Sequence, residues 1–320
     1  MSVSTAKEIL GGDFQISMRE FVGQEQVKAE LLTAAKSAKK RRVRAPHTML
    51  ATRPGFGKTT LALAMAQTMG TKAQIISGKI TAYEFMMALA DMRDRDVLVI
   101  DEAHQMGKGA EFLLHYMENG TIVTPMGPEK QAEVTVVACT TESGALPPAL
   151  LSRFECMPEF VPYTEAEGAK IVALHARKLL VPEGLPAPSK DNCVAIARAA
   201  SGNPRLIKNV LKSVRDIAIA EDGANFDGKR YDLTKALLWK GLTDDGLTFT
   251  AQRYLLAMLK TFGGRPVGMA AMQDMLHEPG GLQSTEILLL EKGYIGKGGQ
   301  GRFLTPNGRN RARELDAVAA

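Results

Sequence analysis

The run Pro54-Gly55-Phe56-Gly57-Lys58-Thr59-Thr60 places two glycines, a lysine and two hydroxyls side by side. Glycine tolerates the positive φ that lets backbone N–H groups curl around phosphate oxygens, and a helix opening behind the turn adds the partial positive charge of its N-terminus. Lys58 then has the charge and reach to pair with the β- and γ-phosphates, and the Thr59 hydroxyl can ligate Mg²⁺. Further along, Val97-Leu98-Val99-Ile100-Asp101-Glu102 ends an apolar run in two carboxylates. Asp101 suits Mg²⁺, directly or through water, and Glu102 suits an attacking water that must lose a proton to a carboxylate within hydrogen-bond reach. The chemistry implied is hydrolysis of ATP. His104, in the run DEAH, reads as a packed structural histidine. One position departs from the G-x-x-x-x-G-K-T phosphate loop: Thr52 stands where glycine is expected. If that position requires positive φ, a β-branched residue costs about 1–2 kcal/mol there, and nucleotide binding weakens.

Elements of the right kind flank both motifs. Apolar runs at 47–51, 73–77, 96–101, 121–125 and 134–141 read as strands, and amphipathic periods at 27–40, 61–70, 81–92 and 111–120 read as helices. The alternation predicts an α/β domain with a parallel sheet over 20–160, preceded by an arm at 1–19. Between 161 and 240 the pattern becomes helical, with apolar residues at i, i+3 and i+4, which predicts a small helical lid. Over 241–320, three short helices precede the glycine-rich segment 296–305, the outline of a winged helix.

The composition, 45% apolar and 23% charged residues, belongs to a globular chain, and 320 residues exceed what one core usually organises. No stretch of 18 apolar residues suggests a membrane span, and the N-terminus lacks a secretion pattern, so the cytoplasm is expected. Cys139, Cys156 and Cys193 form no CxxC pair, which gives no support to a zinc site or a disulfide framework. The net charge is only +5, but cations crowd two blocks: Lys36, Lys39, Lys40, Arg41, Arg42 and Arg44, and then Lys292, Lys297, Arg302, Arg309, Arg311 and Arg313. Either block could meet nucleic-acid phosphates or form a solvated face.

Taken together, these motifs resemble the RuvB family of AAA+ Holliday-junction branch-migration motors, from about Arg19 to Arg313. Phe21-Val22-Gly23-Gln24 is similar to a family segment whose backbone sits against adenine, which implies Phe21 and Val22 at the base. Alongside the loop and the carboxylates, ACTTESG at 138–144 implies Thr141 as the polar group reading the γ-phosphate or its attacking water. Leu150-Leu151-Ser152-Arg153-Phe154 implies Arg153 as an arginine finger in a neighbouring subunit's site, and Gly202-Asn203-Pro204-Arg205 implies Arg205 as a second sensor on the nucleotide. GGRPVGM at 263–269 and GRFLTPNGR at 301–309 resemble the family's winged-helix signatures. The resemblance implies a homo-oligomeric ring, a hexamer, that pulls duplex or branched DNA through itself. It also implies Arg302 on the wing tip as the first phosphate contact, followed by Lys297 and Arg309.

The segment before Thr141 is shorter than the family's junction-facing hairpin, which puts dependence on a RuvA-like adaptor in question. Glu142 also replaces an arginine of the family pattern. Two further readings stay open. One keeps the ATPase as a switch, as in clamp loaders and replication initiators; the other is a DNA-binding adaptor with a weakened ATPase site, Thr52 being its first symptom.

Overall fold

A computed structural model of the chain describes residues 17–124, 127–221, 233–278 and 281–319. Most of the expected arm, residues 1–16, and the tip of the expected hairpin at 125–126 lie outside the described residues. Contacts divide the chain into two units, Met1–Glu167 and Gly168–Ala320.

The first unit runs α1 (Glu25–Arg41), β1 (Thr48–Ala51), α2 (Lys58–Met69), β2 (Ala73–Ser77), α3 (Ala82–Ala90), β3 (Val97–Asp101) and α4 (Gly109–Asn119). The hairpin β4 (Thr121–Thr124) and β5 (Gly127–Lys130), then β6 (Thr135–Thr140) and a short α5 (Pro148–Leu151), complete it. β1, β6, β3 and β2 pair in that order into one parallel sheet. Strand side chains alternate between faces. Val97 and Val99 of β3 therefore pack with α1 and α2, while Leu98 and Ile100 pack with α3 and α4. In β6, Val137 and Cys139 face the first of these cores and Val136 and Ala138 the second. A strand covered on both sides favours apolar residues on both faces, which is why Val97 to Ile100 read as an unbroken apolar run. Each such side chain, fully buried, stabilises by roughly 1.5–3 kcal/mol.

Helix α1 buries Val27, Leu31, Ala35 and Ala38 along one stripe and leaves Lys36, Lys39, Lys40 and Arg41 outside. Helix α3 starts at a capping box, in which Thr81 accepts from the Glu84 amide and the Glu84 carboxylate accepts from that of Thr81.

α6 (Glu165–Leu179) starts in the first unit and continues into the second, where α7 (Lys190–Ala199), α8 (Pro204–Ala220) and α9 (Leu233–Trp239) follow. After them come α10 (Phe249–Lys260), α11 (Met269–Leu276), α12 (Gln283–Glu291), the hairpin β7 (Ile295–Gly298) and β8 (Gly301–Leu304), and α13 (Pro306–Ala319). Tyr254, Met258, Met272, Leu289, Ile295 and Leu304 share one core in this winged helix. Val267 and Arg302 exchange both backbone hydrogen bonds, at 2.8 and 2.9 Å, and so add a third strand-like segment beside the wing. The sequence reading stopped at the hairpin and missed α13, which packs on α10. No helix among the described residues is long and apolar enough to cross a membrane.

Candidate nucleotide site

A parallel sheet has two unlike edges, and loops leaving the C-terminal edge converge on one side. The phosphate loop leaves β1 there, Asp101 and Glu102 end β3, and Thr141 follows β6. Because β6 lies between β1 and β3, Thr141 emerges between the loop that carries Lys58 and the strand that carries the carboxylates. Pairing of Ala51 with Thr140, and of Ile100 with Ala138, fixes that register.

Gly55 and Gly57 of the loop have φ of 87° and 88°, the left-handed region where a side chain is strained. Gly57 is the N-cap of α2 and supplies no side chain to the helix's first amides, which are the donors an anion would take. Pro54 is exposed, Phe56 is buried, and Thr59 and Thr60 are half-buried on the first turn of α2. Lys58, only 7% exposed, donates through Nζ to the carbonyls of Thr52 at 2.7 Å and Arg53 at 3.2 Å, so its charge is held inside the loop. Thr52 itself is absent from the positive-φ residues of the described chain, and its amide donates to the Thr140 carbonyl at 3.2 Å. It prolongs the pairing of β1 with β6. The strain expected of a threonine in a glycine position therefore does not arise.

Glu102 is strained instead: its φ and ψ are 52° and 46°. This turn takes the carboxylate off the strand direction, and Asp101 Oδ1 supports it by accepting from the Glu102 amide at 3.1 Å. Gly78, at the end of the neighbouring β2, donates to the Asp101 carbonyl at 2.6 Å, and a Cβ on it would lie 2.2 Å from the Glu102 carbonyl oxygen. Only glycine fits there. His104 is packed, as expected, but it also touches the site. Its Nδ1 lies 3.2 Å from the Thr140 hydroxyl and 3.5 Å from a Glu102 carboxylate oxygen. Thr140 Oγ1 accepts the Glu142 amide at 3.0 Å, so it organises the backbone on both sides of half-buried Thr141. Gly78 and Thr140 were missed in the sequence, because their roles depend on which strand lies alongside.

On the other flank, Phe21 is buried against the loop, its ring edge 2.7 Å from where a Cβ of Gly57 would stand, and Val22 beside it is half-buried. Gln24 is buried in a left-handed conformation and exchanges two side-chain hydrogen bonds with the backbone of Val161, at 2.7 and 3.1 Å. Tyr163 completes the clasp: its ring lies 5.4 Å from that of Phe56, and its hydroxyl donates to the Phe56 carbonyl at 3.3 Å. The 21–24 segment, the phosphate loop and residues 161–163 are thus stitched together. Nothing in the sequence marked Tyr163.

The donor set fits a nucleotide with Mg²⁺. Mg²⁺ keeps water and phosphate oxygens and asks the protein for one or two ligands, a part the Thr59 hydroxyl and the Asp101 carboxylate could fill. Among the described residues no group of three or more metal-ligating side chains offers a larger cage.

Arg153 follows α5, is about half exposed, and its guanidinium pairs with the Glu118 carboxylate at the end of α4. Arg205 belongs to the second unit, on the first turn of α8, where the Asn203 side chain caps the helix by accepting from the amides of Arg205 and Leu206 at 3.0 and 3.3 Å. It is exposed.

The three candidate DNA contacts differ in kind. Arg302 lies within β8 rather than on the tip, and its Nε and Nη2 donate to the two oxygens of Glu286 at 2.8 and 3.2 Å. Glu286 is 1% exposed and also accepts from the Tyr254 hydroxyl at 2.8 Å, so Arg302 neutralises a buried charge at the base of the wing. Lys297, opposite Arg302 in the hairpin, is half exposed and reaches the same carboxylate at 3.3 Å. Arg309 is exposed on α13, near the turn at Gly264.

Comparison with known proteins agrees with this geometry. A family model described as the Holliday junction DNA helicase RuvB P-loop domain matches residues 15–160, and one described as the RuvB C-terminal winged helix domain matches residues 244–312. Among solved structures, the chain is similar to the Thermotoga maritima RuvB Holliday junction branch migration motor, at 28% identity and a TM-score of 0.78, over 93% of this chain and 97% of that one. A variant of the Thermotoga maritima protein matches over the same shares at 29% identity and a TM-score of 0.80. With a nucleotide-binding domain and a winged helix of the same family joined in one order, the chain belongs to the RuvB family.

Proposed function

We propose that this chain is an ATP-driven motor that translocates duplex DNA and so moves branched recombination or repair intermediates such as Holliday junctions. The observation that carries the reading is the meeting of Lys58, Asp101, Glu102 and Thr141 at one sheet edge, in a chain that also bears a winged helix. Lys58 and the amides of Gly55 to Thr60 bind the phosphates, with Phe21 and Val22 at the adenine end. Thr59 and Asp101 hold Mg²⁺, which neutralises phosphate charge when bound. Glu102 orients the attacking water and takes its proton, and Thr141 reads the water or the γ-phosphate.

Arg153 acts on the nucleotide of the next subunit, which requires a homo-oligomeric ring, for which we propose a hexamer in the cytoplasm. Arg205 reports on the bound nucleotide from a helical lid at 161–240, and the winged helix of 241–320 follows the phosphate backbone through Lys297 and Arg309. Backbone contact suits a translocating motor because it ignores sequence. Arg302 stands behind these two as the residue that keeps the wing folded. A hairpin of two four-residue strands is a small platform for a RuvA-like adaptor, and we propose that the chain works without one. The reading of a weakened ATPase loses its motive, since Thr52 lies in ordinary backbone.

Steady-state ATP turnover with no DNA, linear duplex and a four-way junction tests the proposal. DNA-stimulated turnover that is abolished by Lys58→Ala, and stopped without loss of nucleotide binding by Glu102→Gln, is expected. Turnover indifferent to DNA contradicts a motor and favours a switch.

A further inference from the structure

We propose that the chain carries a second DNA contact, a phosphate-binding surface formed by Lys36, Lys40, Arg41 and Arg42 at the end of α1, on the sheet edge opposite the nucleotide site. The proposal rests on the reading of the chain as a DNA motor and adds a surface to it.

Sheet polarity sets the location. The nucleotide residues all leave the C-terminal ends of β1, β3 and β6, whereas the chain passes from Arg41 through Arg44 into the N-terminal end of β1. With about 3.3 Å of rise per residue, even this short strand separates the two edges by more than a lysine's reach. The basic block is therefore no part of the ATP site.

Two of its six cations are engaged in the fold. Lys39 donates to the Thr68 carbonyl at 3.2 Å, and Arg44 pairs with Glu155 at 3.2 Å. Lys36, Lys40, Arg41 and Arg42 are exposed, and no carboxylate among the described residues forms an ion pair with them. A helix C-terminus attracts cations, but its partial charge of about half a unit acts only within the last turn. Lys36 lies before that turn and Arg42 after the helix. Arg42 is also left-handed, with φ of 57°, at a helix end where glycine or asparagine is the usual left-handed residue. The chain tolerates a strained backbone there while keeping a fourth exposed cation.

The chemistry of the patch selects nucleic acid over a protein partner. Protein interfaces are anchored by aromatic and apolar side chains at a dry centre. Residues 25–46 contain no aromatic residue, and Val43, 37% exposed, is the one large apolar side chain exposed beside the cations. Lys36 and Lys40, four residues apart, lie on one face of the helix, and the two arginines extend that charge past its end. A row of cations without apolar anchors fits a phosphate backbone, whose affinity comes from counterion release.

The test uses the full chain with Lys36, Lys40, Arg41 and Arg42 all changed to Gln, which preserves length and helix propensity. Fluorescence anisotropy of a labelled duplex, titrated between about 50 and 200 mM salt, should show a slope about 2–4 units shallower and affinity about 10–100-fold weaker. DNA-free ATP turnover should be unchanged. An unaltered slope and affinity overturn the proposal. If the quadruple variant fails to fold, lysine acetylation of the wild-type chain decides. Duplex DNA should protect Lys36 and Lys40 several-fold but leave exposed Lys170 unaffected, and equal modification with and without DNA overturns the proposal. Failure of the motor reading is separate: it appears as DNA-independent turnover in the unmodified chain, whatever happens at this surface.

Discussion

A Cβ on Gly78 would stand 2.2 Å from the Glu102 carbonyl oxygen, so the placement of one carboxylate depends on the lack of a side chain one strand away. Gly78→Ala must push back a left-handed turn that already costs roughly 1 kcal/mol. It should lower kcat for ATP by about 10–100-fold, the size of a misplaced catalytic group, with nucleotide affinity nearly intact. A fall in affinity equal to the fall in kcat would show that the phosphate loop, not Glu102, had moved. Thr52 gives the opposite expectation. Since its φ is not positive, Thr52→Gly should leave ATP affinity within about twofold and cost about 0.5–1 kcal/mol of stability by loosening the unfolded chain, checked by urea unfolding.

At the scale of elements, the wing is fixed by charge as well as by packing. Arg302, Lys297 and Tyr254 converge on Glu286, whose side chain is 2% exposed, and together they hold its carboxyl below the usual carboxylate range despite the cost of burial. Removing the main partner strands a buried charge, so Arg302→Ala should destabilise the winged helix by about 3 kcal/mol, measured by thermal unfolding. Reduced DNA binding in that variant then reports unfolding rather than a lost phosphate contact. Lys297→Ala and Arg309→Ala are the cleaner probes.

The sequence revealed elements where the physics is local or periodic. The double-sided burial of β3 and β6 shows as apolar runs, and the glycines of the phosphate loop show as a turn chemistry that few other loops need. It hid what depends on neighbours across the fold. Helix α13 offered only Ala312 and Leu315 as core-facing residues, and its N-terminal signal, Thr305 before Pro306, was masked by the preceding glycines. The Arg302 fork reads as a free cation until Glu286, on another element, is placed beneath it.

At the scale of the molecule, each unit contains a histidine drawn out of water, His47 buried and His175 half-buried. His47 accepts the Val136 amide on Nδ1 at 3.1 Å, and burial, with the nearby Arg44 charge, lowers its pKa to about 4. Burial, with Lys208 and Lys178 nearby, lowers that of His175 to about 4 as well. The unfolded chain takes up these protons near pH 6.5 and the folded one only near pH 4. Stability is therefore complete above about pH 6.5 and falls as the pH drops toward 4, by up to about 3 kcal/mol per histidine. Urea unfolding at pH 7.5 and pH 5 should show the loss, and His47→Asn should reduce it in the first unit.

Assembly belongs to this scale too. If Arg153 completes a neighbour's site, Arg153→Ala should leave folding and nucleotide binding intact while cutting turnover of the assembled protein by about 10³–10⁵. Its pairing with Glu118 sits at the base of the β4–β5 hairpin, where the Tyr116 hydroxyl donates to the Ala132 carbonyl at 2.5 Å and accepts the Val134 amide at 3.0 Å.

The most direct measurement is branch migration of a synthetic four-way junction by the purified chain alone, with ATP, with a non-hydrolysable analogue, and with the Glu102→Gln variant. Separation of the junction into its product duplexes with ATP only is the expected result. Equal separation with the analogue or with Glu102→Gln, or none with ATP despite DNA-stimulated turnover, would contradict an ATP-driven motor that works on junctions unaided.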